Sequence, residues 1–166
     1  YHQRLMFFFR GKSNPYMLIV GMTGVKMGDR LLQIGCSDGG ALAATAAKVG
    51  LSGRAVAVVP DISAAVTAKK GAERQGVLID VEVAPATALP ITETDFDLVV
   101  VDDLKGVFSG AGAEAQTAAV AEAVRILKPG GRVLVMTPLP AEGLAALLGG
   151  HKGPAFDPEP ALKAGG

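Results

Sequence analysis

The sequence carries no surplus of charge in either direction. Sixteen basic residues face sixteen acidic ones, and the formal net charge is zero. A dedicated nucleic-acid surface needs a basic excess, so the balance argues against that class. There is a single cysteine, Cys36. It excludes an internal disulfide framework and fits a reducing, cytoplasmic setting. No apolar run approaches the roughly 18 residues of a membrane-spanning helix, and no signal-peptide layout opens the chain. The sequence starts at Tyr1 and not at methionine, so a leader or short N-terminal piece is expected to be missing, which limits the reading of location. The two histidines, His2 and His151, lie in terminal segments, and no Cys or His stands at ligand spacing, so no metal site is expected. Aromatics make up only 5% of the residues.

What is present is alanine, glycine and short aliphatic runs. The 166 residues, 49% of them hydrophobic, suffice for one core and one domain. Residues 1–28 read as a helical lead-in with two apolar blocks, Leu5 to Phe9 and Tyr16 to Val20. The first block packs against the sheet edge or forms a patch for a protein partner or membrane surface. Regular alternation then begins. Strands are expected at Arg30 to Gly35, Arg54 to Val59, Leu78 to Val83, Phe96 to Val101 and Arg132 to Met136. Helices are expected at Ala41 to Val49, Ile62 to Gln75 and Ala113 to Leu127, the last stopped abruptly by Lys128-Pro129-Gly130-Gly131. Such alternation implies right-handed crossovers and an α/β fold with a parallel sheet. Residues 29–150 form this domain, with a short helix over Ala141 to Leu148, and the glycine- and proline-rich residues 151–166 form a flexible tail.

In a doubly wound sheet, ligands sit at the carboxyl ends of the strands where the strand order reverses. The first strand runs into Gly35-Cys36-Ser37-Asp38-Gly39-Gly40, a turn in which backbone N–H groups can approach a polar ligand. Asp61 stands 26 residues after Gly35, at the end of the second strand. It either accepts hydrogen bonds from ribose hydroxyls, or caps the helix starting at Ile62, or does both. A nicotinamide dinucleotide site wants G-x-G-x-x-G. Here Ser37 replaces the central glycine and Asp38 would repel a pyrophosphate, which favours a cofactor without phosphate.

Four segments in order then carry a resemblance: Leu31 to Gly39 (LLQIGCSDG), Val56 to Ser63 (VAVVPDIS), Leu89-Pro90 ahead of Phe96 to Val99, and Arg125 to Val133 (RILKPGGRV), with Met27 to Arg30 leading in. Over residues 20–137 the chain resembles the class I S-adenosylmethionine-dependent methyltransferases, in particular the small-molecule group that includes quinone-biosynthesis enzymes. The resemblance implies a Rossmann-like doubly wound parallel sheet of order 3-2-1-4-5, with helices on both faces. It implies S-adenosylmethionine as cofactor and a small or lipid-like molecule as methyl acceptor. The backbone of Gly35, Cys36, Ser37, Asp38 and Gly39 would hold the methionine part, and Gln33 would hydrogen-bond there without bringing a charge for the cofactor's ammonium. Asp61 would hold the ribose and Ile62 would pack on the adenine. Ala86 would flank the adenine edge, and Asp102 would face the methionine end.

The departures from that family are specific. Gln33 stands where an acidic residue is usual, Ser37 where glycine is usual, and no aspartate occurs near Pro85 or Ala86. The family's sheet continues with two further strands, which this sequence does not show after Met136. The chain is then a truncated piece, has lost part of its substrate-selecting region, or receives it from a partner. The alternative to an enzyme is therefore a non-catalytic methyltransferase-like subunit of a larger, membrane-associated or oligomeric assembly. No catalytic residue is evident; Asp102 and Asp103 are the candidates. With Lys105 they are similar to the metal-dependent catechol-type methyltransferases, but the required Asp-Asn pair after the fifth strand reads Thr137-Pro138. Cys36 has no histidine beside it in sequence and reads as a small residue in a tight turn.

Overall fold

A computed structural model describes residues 15–137. The expectations for Leu5 to Phe9, for a helix over 141–148, for the tail over 151–166 and for absent C-terminal strands fall on residues outside that range. Within it the elements run α1 (Met17–Thr23), β1 (Arg30–Ile34), α2 (Gly39–Val49), β2 (Arg54–Val59), α3 (Ile62–Gln75), β3 (Asp80–Val83), β4 (Phe96–Asp102), α4 (Ala113–Ile126) and β5 (Leu127–Met136).

All four strand pairings are parallel, and the order is β3-β2-β1-β4-β5, as expected. Because side chains alternate along a strand, one set of each strand's residues meets each layer. Leu31, Ala55, Leu98 and Val100 pack with Val20 of α1 and Ala44 and Val49 of α2. Ala57 and Val59 meet Leu42 of α2 and Ala65 and Ala68 of α3. On the opposite face, Leu32, Val56, Val58, Val99 and Val101 pack with Val120, Ala123 and Ile126 of α4. The sheet is therefore covered on both sides, and its inner strands are continuous aliphatic runs for that reason. Burying a Val or Leu side chain contributes about 1.5–3 kcal/mol, and Leu31, Leu32, Val99 and Val100 are all fully buried.

Three boundaries differ from the sequence reading. Among the described residues of the lead-in there is one helix of seven residues, ended at Gly24 in the left-handed region, and turns occupy the stretch up to Arg30. The third strand begins at Asp80 and not at Leu78, which is exposed at the sheet's edge. The Lys128–Gly131 stretch does not precede the fifth strand but lies inside it. Leu127 already pairs with Phe96, and the ladder resumes at Leu98 with Arg132. A proline without N–H and two glycines cannot sustain a ladder, so these residues bulge out, while the Lys128 ammonium pairs with Asp97 beside the bulge. The crossover from β3 to β4 contains no helix. Residues 84–95 instead return from the carboxyl end of β3 to the amino end of β4 over the face that carries α4, where Leu89 and Ile91 join the core. They are stapled to α4 by Glu122, which accepts from the Leu89 N–H at 2.7 Å, and Arg125, which donates to the Ile91 carbonyl at 2.8 Å.

Candidate active site

The strand order reverses at β1 between β2 and β4, and the carboxyl ends of these three strands open into a cleft of about 420 Å³. That volume suits a small-molecule site. Its floor is aliphatic, from Ile34, Val58 and Val101, and its rim is made by the loops following the strands.

The first loop turns at Gly35, whose φ is +86°. A β-carbon there would stand 3.0 Å from the Asp102 carbonyl oxygen, so only glycine fits both the angle and the space. Ser37 follows. Its hydroxyl donates to both oxygens of Asp102, at 2.7 and 3.0 Å, and its backbone N–H donates to the same carboxylate at 2.8 Å. The Leu104 N–H adds a further bond to Asp102 at 3.1 Å. A serine where glycine is usual thus ties the end of β1 to the end of β4. Sequence reasoning gave Ser37 a place among the backbone groups holding the cofactor and saw its side chain as an intrusion; its bond to Asp102, 65 positions away, carries no sequence signal.

Cys36 is buried in the same turn. Burial, then the nearby Asp102 and Asp38 carboxylates, push its thiol up to about 11. Asp38 is the N-cap of α2, accepting from the Gly40 N–H at 2.8 Å and the Ala41 N–H at 3.3 Å. Its side chain lines a second, neighbouring cleft, not the first. Gly39 likewise borders that second cleft.

Asp61 stands on the rim and does cap α3, accepting from the Ala64 N–H at 2.8 Å through Oδ1. Its Oδ2 has no partner among the described residues and remains available to a ligand. Ile62 is 74% exposed and does not line the cleft. Ala86 does, together with Ala84, Pro85 and Thr87. Gln33 does not. It shares the face of Leu31, is buried beneath α2, and donates through Nε2 to the Gly35 carbonyl at 3.0 Å. Its amide steadies the turn from below.

The adjacent aspartates separate. Asp102 lines the cleft, whereas Asp103 is fully buried and accepts from the Phe108 N–H at 2.7 Å and the Ser109 N–H at 3.1 Å. Successive strand residues face opposite ways, so this pair does not converge on one ion or one substrate. Among the described residues no cluster of three or more His, Cys, Asp or Glu could hold a metal. Residues that sequence reasoning did not single out complete the cleft: Ser63, Ala64 and Thr67 on α3, Val107 and Phe108 after β4, and Ala115 and Ala119 on α4. Small residues recurring on helix faces that meet a site are an uninformative signal in so alanine-rich a chain.

The comparisons with known proteins agree with this geometry. A family model described as a methyltransferase domain matches residues 32–135. The chain belongs to that family. No curated protein matches the sequence. Among solved structures, a SAM-dependent methyltransferase from Aquifex aeolicus superposes with a TM-score of 0.59 at 16% identity, covering 73% of this chain and 62% of that one. A TehB-like SAM-dependent methyltransferase from Corynebacterium glutamicum gives 0.57 at 20% identity, covering 81% and 69%. A SAM-dependent O-methyltransferase from Thermotoga maritima gives 0.60 at 21% identity, covering 86% and 52%. The chain thus spans between about half and two thirds of the length of these structures. Among the described residues no helix is long and apolar enough to cross a membrane.

Proposed function

We propose that this protein transfers a methyl group from S-adenosylmethionine to a small molecule in the cytoplasm. The observation that carries the reading is the cleft at the strand-order reversal, where the Gly35 turn and the Asp61 carboxylate stand on one rim. The residues present fit the cofactor. Gly35, Cys36 and Ser37 of the turn line the cleft, Asp61 keeps an oxygen for ribose hydroxyls, and residues 84–87 offer a mainly apolar edge to an adenine. The cofactor supplies an activated methyl group on a cationic sulfur. The chain's own part is to hold donor and acceptor in line and to exclude water, which accounts for much of such a rate. The polar groups near the turn support transfer without a protein base. Asp102 already accepts from the Ser37 hydroxyl and N–H and the Leu104 N–H, and the Cys36 thiol, raised to about 11, stays protonated at neutral pH. Asp102 is on this reading a positioning residue, and Asp103 an anchor for the loop.

Calorimetric titration with S-adenosylhomocysteine tests the proposal. Binding is expected in the wild type, and about tenfold weaker binding in Asp61→Asn, which keeps an N-cap acceptor but removes the charge. Absence of both heat and thermal shift at about millimolar ligand would sink it. A non-catalytic, methyltransferase-like subunit is the second reading. It is favoured by the outward apolar side of α1, where Met17, Leu18 and Met22 are 64%, 75% and 70% exposed. Turnover by a stable monomer would remove it.

A further inference from the structure

A second cleft, of about 450 Å³, opens between the start of α2, the later turns of α3 and Tyr16. It adjoins the first cleft, and Ser37 and Thr67 line both. Its character is opposite to that of its neighbour. Lys70 and Arg74 line it from α3, with Gln75 and the Tyr16 ring beside them. The two cations are four residues apart on one helix, a spacing that brings like charges together unfavourably. Neither makes a salt bridge or hydrogen bond among the described residues, as is also true of Lys48, Lys69 and Lys105, whereas Arg30, Arg54, Arg125 and Lys128 are paired with carboxylates. The C-terminal end of a helix favours a cation in its last turn, which accounts for Arg74 but not for two cations turned to the same hollow. Among the described residues the single acid lining this cleft is Asp38, and its Oδ1 already accepts from Gly40, Ala41 and, at 3.3 Å, the Tyr16 hydroxyl. The Asp38 carboxylate raises the Tyr16 hydroxyl above its ordinary pKa, and Arg74 acts in the opposite sense.

We infer that the second cleft is an anion subsite for the methyl acceptor, with Lys70 and Arg74 holding a carboxylate or phosphate group. This inference rests on the methyl-transfer reading of the first cleft. An acceptor anchored by its anionic end in the second cleft extends its reacting atom past Ser37 towards the turn at Gly35. The acceptor is accordingly an acidic small molecule, with its anion separate from the atom that receives the methyl group. Arg74 presents a planar fork suited to either oxyanion, and Lys70 a point charge.

The test uses the whole protein saturated with S-adenosylhomocysteine, with inorganic phosphate and acetate as probes and backbone amide NMR shifts as the readout. Saturable shifts are expected at Gly39, Gly40 and Arg74, and the stronger probe tells phosphate from carboxylate. In Lys70→Gln/Arg74→Gln the affinity is expected to fall at least about tenfold, while Lys69→Gln, which removes a charge outside the cleft, changes it less than about twofold. Circular dichroism checks that the double variant is folded. Shifts that are absent, spread over the surface, or unchanged in the double variant would overturn the inference. It also fails if the double variant loses S-adenosylhomocysteine affinity but keeps that for methylthioadenosine, since the cations would then hold the cofactor's own carboxylate. If the wild type binds no S-adenosylhomocysteine, the methyl-transfer reading fails by itself, and the phosphate titration of the free protein still reports whether the cleft takes an anion.

Discussion

The two walls of the first cleft are built by opposite means. On one side, the turns leading into α2 and α3 are short, each helix is capped by an aspartate, and the helices touch backbone to backbone where Gly39 meets Thr67 and Gly71. On the other, residues 103–112 form a longer connection before α4, which has no side-chain cap. Two side chains organise that connection, the buried Asp103 carboxylate and Gln116 of α4, whose amide donates to the Ser109 and Ala111 carbonyls, and Val107 is left 66% exposed at its tip. A wall made of backbone contact cannot adapt without unfolding, whereas a loop hung on a few side-chain hydrogen bonds can be reshaped by a single substitution. On the methyl-transfer reading, the rigid wall suits the invariant cofactor and the hung loop suits whatever varies, the acceptor.

The largest test of this contrast is Gly71→Ala. Alanine would ordinarily strengthen a helix by about 1 kcal/mol, but here its β-carbon would run into the Gly39 backbone. A net loss of about 3 kcal/mol is expected from overpacking, read by urea denaturation, and a neutral or stabilising result would break the picture of a rigid wall. Asp103→Asn comes next. It turns one acceptor oxygen into a donor facing N–H groups, so a loss of about 2 kcal/mol is expected. Faster amide exchange should be confined to Phe108 and Ser109 and their neighbours; exchange spread over the whole sheet would mean that the loop is no separate unit.

Glu122→Gln sharpens the third side of the rim. Hydrogen bonding from Arg125, with help from the Leu89 N–H, holds the Glu122 carboxyl below its ordinary value in spite of partial burial. A depressed carboxylate adds stability that is fully present above its unfolded pKa of about 4.3 and is lost as pH falls through the lower folded value. The variant should therefore be about 1 kcal/mol less stable at neutral pH. Its deficit should vanish in acid, and a deficit that persists there would assign the loss to packing. The smallest effect concerns Cys36 and leaves stability untouched. A thiol raised from 9.0 to about 11 carries roughly a hundredfold less thiolate at neutral pH, so alkylation by iodoacetamide should be slower by that factor than for a free thiol. Labelling at the rate of a free thiol would show the Gly35 turn to be open.

Much of this was legible in the chain. Aliphatic runs separated by alanine-rich stretches mark strands and helices because period and composition are local properties, and Arg54–Val59 and Ile62–Gln75 lie where they were expected. The position of Asp61 followed from its place after the second strand. Boundaries that depend on a neighbouring strand were less legible: Lys128 to Gly131 reads as a terminator, yet Leu127 pairs with Phe96 before it. The same holds for Gln33, whose place in the strand is plain while its burial beneath α2 is not.

By itself the sequence determined the strand-and-helix rhythm, the glycine at the first turn and the acid after the second strand, since each rests on near-neighbour sterics and periodicity. Only the tertiary structure decided what the polar residues do. Ser37 and Asp102 lie 65 positions apart and meet within 2.7 Å. Asp102 and Asp103 are adjacent and face opposite surroundings, and Lys70 and Arg74 meet Tyr16 across a cleft. Those assignments depend on which strand ends lie side by side, and that is fixed by the packing of the whole sheet.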